Sequence, residues 1–286
     1  MNFFARFGRK YKKKRKKNRM IKEQMIKDLD GLLPLLTDQD YRPDLQRNRS
    51  RYVYRGMLDA SFKMSTSLHR NCKDLERNLE QAILENFAKY AMVSDPSVNT
   101  SVWRTMIVGQ HYGLPTRLLD WTHSPLVGLH FATCEPELSE MEAHDCMVWR
   151  IDMEELQALL PQNYQDVVNE RSSTYFTVEM LGKLTGNRLE KYDEDMKDSA
   201  MVIVEPPSTD VRIVNQYSFF SIVPMDMKNI EDFLDQYTDN TVKYVIDRNL
   251  RWRVRDMLDQ MNISERIVYP GLSGLSRWIA RHYYVR

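Results

Sequence analysis

Short β-prone segments alternate with stretches of helical periodicity along the chain. The sequence predicts a strand in each segment that is rich in β-branched and aromatic residues, namely residues 52–54, 146–151, 201–204, 211–214, 219–223 and 242–246. An acidic helical insert is expected over about 153–197, and helices are expected to dominate from residue 229 onward. Together these segments predict an α+β fold with a small, mainly antiparallel sheet flanked by helices.

Helical periodicity is strongest in residues 74–92, which predict a long amphipathic helix. Residues 103–110 predict a second helix that ends before a Gly and a Pro. Residues 123–133 predict a third, largely buried helix, for which Thr122 and Ser124 are both suitable N-caps.

The part of the chain ahead of the first expected strand also carries a weak pattern. Residues 25–36 have apolar side chains at helical spacing until Pro34 interrupts them. We therefore expect a lead-in helix and linker over residues 25–48. With 42% hydrophobic and 28% charged residues, the 286-residue chain can bury a full core, and we expect one main domain over residues 50–286.

Several classes of protein do not fit the sequence. No window approaches the ~18 consecutive apolar residues of a membrane span, and no signal peptide pattern follows the N-terminal charged run. We therefore expect a cytoplasmic protein without a transmembrane segment. Cys72, Cys134 and Cys146 are odd in number and widely spaced, so we expect neither a disulfide framework nor a metal site.

Positive charge is concentrated at the start of the chain. Residues 1–22 hold eleven Lys or Arg residues and no acid, and since the whole chain has a net charge of +1, the remainder carries −10. Like-charge repulsion disfavours compact structure, so residues 1–24 are expected to form a disordered basic arm. We expect residues 6–22 to bind a polyanion, with nucleic acid favoured and a membrane surface or an anionic protein as alternatives. The residues expected to contact nucleic acid are Lys12, Lys13, Lys14, Arg15, Lys16 and Lys17.

A dense group of polar side chains lies between residues 110 and 122, around a Gly and a Pro that predict a rigid loop. Arg117 has a planar fork that suits carboxylate or phosphate. Asp120 can either pair with an arginine or orient His111. The alternative is a buried, hydrogen-bonded staple that fixes a tight loop. The candidate site residues of this segment are Gln110, His111, Tyr112, Thr116, Arg117, Asp120 and Thr122.

Arg55 and Gly56 follow the first expected strand. Gly56 is expected to let the chain turn sharply out of that strand, because glycine tolerates conformations closed to other residues. Arg55 either clamps an anionic ligand or closes an internal ion pair with Asp59 or Asp120.

Two further candidates are associated with other β-prone segments. Gln216 lies between β-prone residues, where its amide either faces the same cleft or is a satisfied edge or core group. Glu205 ends an apolar strand and is a candidate catalytic carboxylate, with a solvated strand-end residue as the alternative.

Four stretches of the sequence resemble the FRG domain family. They are Tyr54-Arg55-Gly56, GQHYGLPTRLLDWTHSPLVGLHFA at 109–132, RIVNQYSFF at 212–220, and IVYPGLSGL at 267–275. The resemblance covers roughly residues 50–280. Gly128, His130 and Ser218 differ from the residues that are usual at these positions in the family. These differences bear on local packing and not on the resemblance itself.

Membership of this family implies no established reaction. ADP-ribosyltransferases are similar in having a strand-borne Arg or His that grips NAD, often as Tyr-Arg-Gly, so Arg55 is expected to hold the phosphate or ribose of this cofactor. In that scheme His111 or Tyr112 lines the nicotinamide pocket, Asp120 orients the histidine, and Gln216 or Glu205 lies near the ribose.

The acceptor in this scheme is a nucleic acid or a protein, which suits a toxin or an antiviral defence effector. The alternative is a non-catalytic module that binds nucleic acid or protein, whose binding would fall steeply with salt. The two hypotheses differ in whether NAD is bound and consumed.

Overall fold

A computed structural model of the chain describes residues 20–171, 173–208 and 210–286. Most of the expected basic arm, with Lys12, Lys13, Lys14, Arg15, Lys16 and Lys17, lies outside these ranges. The described residues contain a main sheet, a small hairpin and helices on both faces of the main sheet.

Nine strands lie in the described residues. They are β1 (Lys22–Ile26), β2 (Asp40–Arg42), β3 (Arg47–Arg49), β4 (Tyr52–Met57), β5 (Leu118–Thr122), β6 (Cys146–Asp152), β7 (Val202–Val204), β8 (Ser218–Ile222) and β9 (Val242–Ile246). Seven of them form one sheet in the order β1-β9-β6-β4-β5-β8-β7, and β2 pairs with β3. Only β1 and β9 run parallel in the main sheet. The α+β class is confirmed, and the sheet is larger than expected and mixed.

Fourteen α-helices lie in the same residues. They are α1 (Leu33–Thr37), α2 (Ser67–Cys72), α3 (Glu76–Ala91), α4 (Val102–His111), α5 (Pro125–Thr133), α6 (Met153–Leu159), α7 (Gln162–Glu170), α8 (Val178–Thr185), α9 (Leu189–Met196), α10 (Val211–Asn215), α11 (Ile230–Tyr237), α12 (Arg251–Gln260), α13 (Glu265–Val268) and α14 (Leu272–His282). The helices expected at 74–92, 103–110, 123–133 and within 153–197 are confirmed in α3, in α4, in α5 and in α6 to α9.

The core lies on both faces of the sheet, because alternate residues of a strand point to opposite sides. Val53 packs with Trp149 and the residues of α11 in one cluster. Its neighbours Tyr52 and Tyr54 belong to another cluster, which includes α5 and α12. A third cluster packs α3, α4, α8 and α9 against β5, β7 and β8.

Two predicted elements are wrong. Residues 22–26 form strand β1, whereas residues 22–24 were expected to end the disordered arm and residues 25–26 to begin the lead-in helix. The strand forms because the segment pairs in parallel with β9 and buries Ile26 while Met25 stays exposed. Residues 211–214 form α10 rather than a strand. The Asp210 side chain caps that helix by accepting a hydrogen bond from the Arg212 N–H at 2.6 Å, and Val211 is exposed.

Gly56 has a different role from the expected turn. Strand β4 continues through this residue to Met57. A Cβ atom on Gly56 would overlap the Gly128 carbonyl oxygen and the Ala132 nitrogen, and would lie only 2.9 Å from the Phe131 carbonyl carbon. The missing side chain therefore lets helix α5 lie directly on β4.

We expect Gly56→Ala to lower the free energy of unfolding by roughly 2–3 kcal/mol, because α5 or β4 must shift to admit a methyl group against backbone atoms. Denaturant unfolding of the purified protein measures this. Gly31→Ala is the control, since its nearest contact would be a side-chain atom of Ile26 at 3.3 Å, without overlap of backbone atoms. Equal stability of the two variants would contradict a packing role for Gly56.

A buried ion cluster fixes the C-terminal helices. The Glu265 carboxylate accepts hydrogen bonds from Arg255 Nη2 at 2.9 Å and from Arg281 Nε at 2.7 Å. Arg281 also donates to both oxygens of Asp259 at 2.7 Å. Burial alone would raise the pKa of Glu265, but these arginines outweigh it and lower the pKa to about 2. The ionised cluster thus ties α12, α13 and α14 together.

His130 lies against this cluster on α5. Arg255 Nη1 donates to His130 Nδ1 at 2.9 Å, which leaves the imidazole proton on Nε2, since a guanidinium only donates. Burial and the nearby Arg255 charge lower the pKa of His130 to about 3. His130 is therefore a neutral, buried hydrogen-bond acceptor for Arg255. This role explains why a histidine stands at this position of α5.

Glu265→Gln should destabilise the fold by about 3–5 kcal/mol at pH 7, because the buried Arg255 and Arg281 would lose the negative charge that they share. The folded-state pKa lies below the ~4.3 of a free glutamate, so the carboxylate stabilises the fold above that pH and less as the pH falls toward 2. The difference between wild type and variant in unfolding free energy should shrink over this interval. Glu142→Gln, at the exposed pair with Arg286, is the control; a difference that stays constant with pH would contradict the ionised cluster.

Candidate functional site

Strands β4 and β5 diverge near the middle of the main sheet. They pair only at Tyr54 and Thr122, whereas β4 pairs with β6 along its whole length. Beyond this point the Arg55 side chain enters the opening between the strands, and its Nη1 donates to the Asp120 carbonyl oxygen at 2.8 Å. The same nitrogen lies 3.5 Å from Asp120 Oδ2. Arg55 thus takes the place of a backbone hydrogen bond that the separated strands cannot make.

Asp120 is held from its other side by a short relay of side chains. Gln110 Nε2 donates to Asp120 Oδ1 and Oδ2 at 3.2 and 3.0 Å. Thr116 Oγ1 donates to Gln110 Oε1 at 2.6 Å and accepts from the Leu118 N–H at 3.1 Å. Thr116 thereby sets which end of the Gln110 amide faces the carboxylate. Asp120 is nevertheless 57% exposed and can meet a ligand.

Arg55 is the less exposed partner of this pair, with 19% of its side chain accessible. Its Nε atom is buried and has no hydrogen-bond partner within the part of the chain that the structure describes. Burial lowers the pKa of Arg55, the Asp120 carboxylate opposes this, and Arg70 adds a nearby like charge. We name Arg55, Asp120, Gln110 and Thr116 the Arg55–Asp120 site.

Arg117 faces the core instead of a ligand. Its Nε donates to Glu80 Oε1 at 2.7 Å and its Nη1 to Asp193 Oδ1 at 2.6 Å, while Nη2 also meets Glu80. Asp193 accepts a further bond from the Met225 N–H at 3.0 Å. Burial alone would lower the pKa of Arg117, but the two carboxylates raise it. The geometry therefore supports the buried staple, not the ligand clamp, for this residue.

His111 does not meet Asp120 as expected. Successive residues of a helix point about 100° apart, so Gln110 and His111 at the end of α4 face different ways. Gln110 donates a hydrogen bond to Asp120, whereas His111 Nε2 lies 3.5 Å from Asp210 Oδ2. Tyr112 is exposed and contacts the His111 ring edge to face.

The side chains of Gln216 and Thr122 bond to other partners than the Arg55–Asp120 site, and Glu205 follows a different strand. Gln216 is the C-cap of α10 and does not lie on a strand, and Tyr217 then turns into β8 with a φ of 49°. Its Nε2 donates to the Val268 carbonyl at 3.1 Å, and Thr122 Oγ1 donates to the Gln216 carbonyl at 2.6 Å. Glu205 follows β7, two strands away from β5, and burial raises its pKa.

Two polar residues near the site were not predicted. Ser67 Oγ accepts from the Thr116 N–H at 3.0 Å and donates to the Thr116 carbonyl at 3.2 Å, which ties α2 to the site. His123 follows Thr122, and its Nδ1 atom is buried without a partner among the described residues. Burial lowers the pKa of His123. Two features of the sequence could have indicated these residues. They are the run Ser65-Thr66-Ser67 and the position of His123 beside Thr122.

The described residues contain no group of three or more His, Cys, Asp or Glu side chains arranged to hold a metal ion. Cys72, Cys134 and Cys146 are free thiols. Among the helices in residues 20–171, 173–208 and 210–286, none combines the length and apolar character needed to cross a membrane.

We expect Arg117→Ala to lower the free energy of unfolding by about 3–5 kcal/mol, because Glu80 and Asp193 would be left buried without a counter-charge. Chemical denaturation measures this. Arg77→Ala is the matched control, since its pair with Asp226 is more than half exposed, and a change within about 1 kcal/mol is expected there. An Arg117→Ala variant as stable as Arg77→Ala would restore Arg117 as a ligand candidate.

Comparison with protein families identifies one matching segment. Residues 50–141 match the model of the FRG domain. No curated protein and no solved structure matches the chain. The matched segment runs from just before β4 to beyond α5, and it contains Arg55, Gln110, Thr116 and Asp120. The chain therefore carries an FRG domain over residues 50–141, and the Arg55–Asp120 site lies inside that domain.

Proposed function

We propose that this chain is an ADP-ribosyltransferase-like enzyme that uses NAD at the Arg55–Asp120 site. The observation that carries the proposal is the incompletely paired Arg55 guanidinium beside an exposed carboxylate, in an opening between two strands. A cation and an anion at fixed positions match the two charges that such a cofactor presents, a pyrophosphate and a positively charged nicotinamide.

Arg55 is suited to hold the anionic part of the cofactor. Its fork provides several N–H donors in one plane, and Nε has no partner among the described residues. Arg70 adds positive charge nearby. Partial burial strengthens an interaction with phosphate oxygens, because less water screens it.

Asp120 is suited to stabilise positive charge on the ribose. When bound, NAD supplies an ADP-ribosyl group, as nicotinamide leaves with the electron pair of its glycosidic bond and an acceptor bonds to the same carbon. A preorganised carboxylate near that carbon favours the transition state more than the ground state. Gln110 and Thr116 hold the Asp120 carboxylate in one orientation. Asp120 therefore replaces Glu205 and Gln216 as the proposed acidic or polar group at the ribose.

The acceptor in this proposal is a nucleic acid or a protein. The eleven basic residues within 1–22 would raise the local concentration of nucleic acid around an otherwise acidic chain. An enzyme of this type would suit a toxin or an antiviral defence effector.

The test is nicotinamide release by the purified full chain, with and without single-stranded DNA, double-stranded DNA or RNA. Arg55→Ala and Asp120→Asn should each lower the rate about 10²–10³-fold, because each removes one preorganised charge. Arg55→Lys keeps the charge without the planar fork, and we expect partial activity. Asp226→Asn is the control for Asp120→Asn, since Asp226 forms only an exposed pair with Arg77.

Denaturation curves establish that the variants are folded before their rates are compared. Rates equal to wild type in both Arg55→Ala and Asp120→Asn would show that the reaction occurs elsewhere. Absence of NAD binding and turnover under every condition would contradict the enzyme.

The charge of residues 1–22 favours a second candidate, a non-catalytic module that binds nucleic acid or an anionic protein. Binding would then fall steeply with salt, and removal of residues 1–22 would abolish most of it. NAD would have no effect on that binding.

A further inference from the structure

Arg212 on α10 carries a positive charge that no carboxylate balances. Its Nε atom is buried, yet within residues 20–171, 173–208 and 210–286 its side chain donates no hydrogen bond and forms no ion pair. The guanidinium instead lies over the Tyr269 ring, 5.1 Å from the ring centroid. A partly desolvated guanidinium whose contact is an aromatic ring gains more from an incoming anion than one that is already paired.

A second arginine adds to this charge. Arg277 of α14 lies over the same Tyr269 ring, 5.5 Å from its centroid, and is exposed. No carboxylate pairs with Arg277 in the part of the chain that the structure describes. One tyrosine thus holds two arginines whose charges are not compensated. We name Arg212, Tyr269 and Arg277 the Tyr269 cluster.

Two carboxylates near the Tyr269 cluster are engaged elsewhere. Asp210 Oδ1 accepts from the backbone N–H of Arg212, and Asp210 Oδ2 lies 3.5 Å from His111 Nε2. Glu265 is held by the buried arginines of the C-terminal ion cluster. Neither carboxylate forms an ion pair with a guanidinium of the Tyr269 cluster, so both positive charges there stay available.

Two chains of contacts join the Tyr269 cluster to the Arg55–Asp120 site. The first begins at Arg212, whose backbone binds Asp210. Asp210 contacts His111, and His111 directly follows Gln110 in α4. Gln110 donates to the carboxylate of the site. The Tyr269 cluster is therefore reached from the site along the end of α4.

The second chain of contacts runs over α5. The Tyr269 and Phe131 rings pack edge to face with their centroids 6.4 Å apart. Phe131 lies directly on β4, because a Cβ atom on Gly56 would be only 2.9 Å from the Phe131 carbonyl carbon. Gly56 follows Arg55 in the strand. The two chains of contacts meet at both ends, which places the Tyr269 cluster beside the Arg55–Asp120 site.

We propose that the Tyr269 cluster binds the phosphodiester backbone of a nucleic-acid acceptor beside the Arg55–Asp120 site. Arg55 accounts for the anionic part of NAD in the function proposed above, so a separate pair of unpaired arginines suits a second anionic substrate. Arginines at separate positions around one ring suit the repeated phosphates of a polymer, which such contacts hold in place without reading its sequence. The basic residues within 1–22 attract the same class of ligand.

This proposal narrows the acceptor to nucleic acid. The role of the nucleic acid as an acceptor rests on the proposed function, whereas the binding of phosphates by the Tyr269 cluster does not. The cluster is therefore tested by binding alone, without NAD.

The test is fluorescence anisotropy of a labelled single-stranded oligonucleotide with the full chain, over a series of salt concentrations. Each phosphate contact adds roughly 0.7 to the slope of log affinity against log salt for a single strand. Arg212→Gln/Arg277→Gln should therefore lower the magnitude of the slope by roughly 1.4 and weaken binding about tenfold at the lowest salt.

Lys89→Gln/Arg253→Gln is the matched control, because it removes two positive charges elsewhere. Both residues are exposed and neither has an ion pair among the described residues. Residues 1–22 are the same in all of these variants, so their contribution cancels. We expect the affinity and the salt slope of the control to equal those of wild type.

Three results would overturn the proposal. The first is an equal salt slope in wild type and Arg212→Gln/Arg277→Gln. The second is an equal loss of affinity in the control, which would indicate a diffuse effect of net charge. The third is an equal loss of affinity for a polyglutamate peptide, which would assign the cluster to acidic proteins.

Denaturation curves establish that the variants are folded. If the double variant is unfolded, Arg277→Gln alone changes an exposed residue, and the slope should then fall by roughly 0.7. Nicotinamide release separates this proposal from the proposed function. Oligonucleotide binding that depends on the Tyr269 cluster, without NAD turnover, would contradict the enzyme and keep the phosphate contact. NAD turnover with oligonucleotide binding unchanged in the double variant would do the reverse.

Discussion

The arrangement around the site depends on one interaction, the ion triad that the buried Arg117 forms with Glu80 and Asp193. A charge at this depth is tolerated only with counter-charges in hydrogen-bond contact. Glu80 comes from α3, within the FRG domain, and Asp193 comes from α9, beyond the segment that matches the family. Asp193 also holds the Met225 backbone. The ion triad therefore ties the helices after β6 to the domain, and it fixes the start of β5.

This anchor determines the geometry of the neighbouring residues. Thr116 precedes Arg117, and its backbone is held by Ser67 while its hydroxyl group orients Gln110. Gln110 then positions the carboxylate of Asp120, which lies on strand β5, the strand that begins directly after Arg117. A residue buried for stability thus supports an exposed carboxylate without touching a ligand. Such support is what a preorganised site requires.

Local patterns in the sequence were sufficient to predict much of the fold. Helices α3, α4 and α5 follow from apolar spacing and from the Ser124 cap, which depend only on neighbouring residues. Strand β1 could not be predicted, because its stability comes from pairing with β9 more than two hundred residues later in the chain. The close approach of α5 to Gly56 is likewise visible only once the sheet is assembled. The polar residues of the site were found, but their partners depend on tertiary packing, as the separate contacts of Gln110 and His111 demonstrate.

Arg55, which is partly buried, differs from the deeply buried arginines in how its charge is balanced. Arg117, Arg251, Arg255 and Arg281 each have a carboxylate oxygen within 3.0 Å. Among the described residues, the nearest carboxylate oxygen to Arg55 is 3.5 Å away, and the short hydrogen bond of Arg55 goes to a carbonyl. A guanidinium that is desolvated but not fully compensated gains more from an incoming anion than one already paired. Arg117 is fully paired with carboxylates and has a structural role, whereas Arg55 is not fully paired and is therefore available for a ligand.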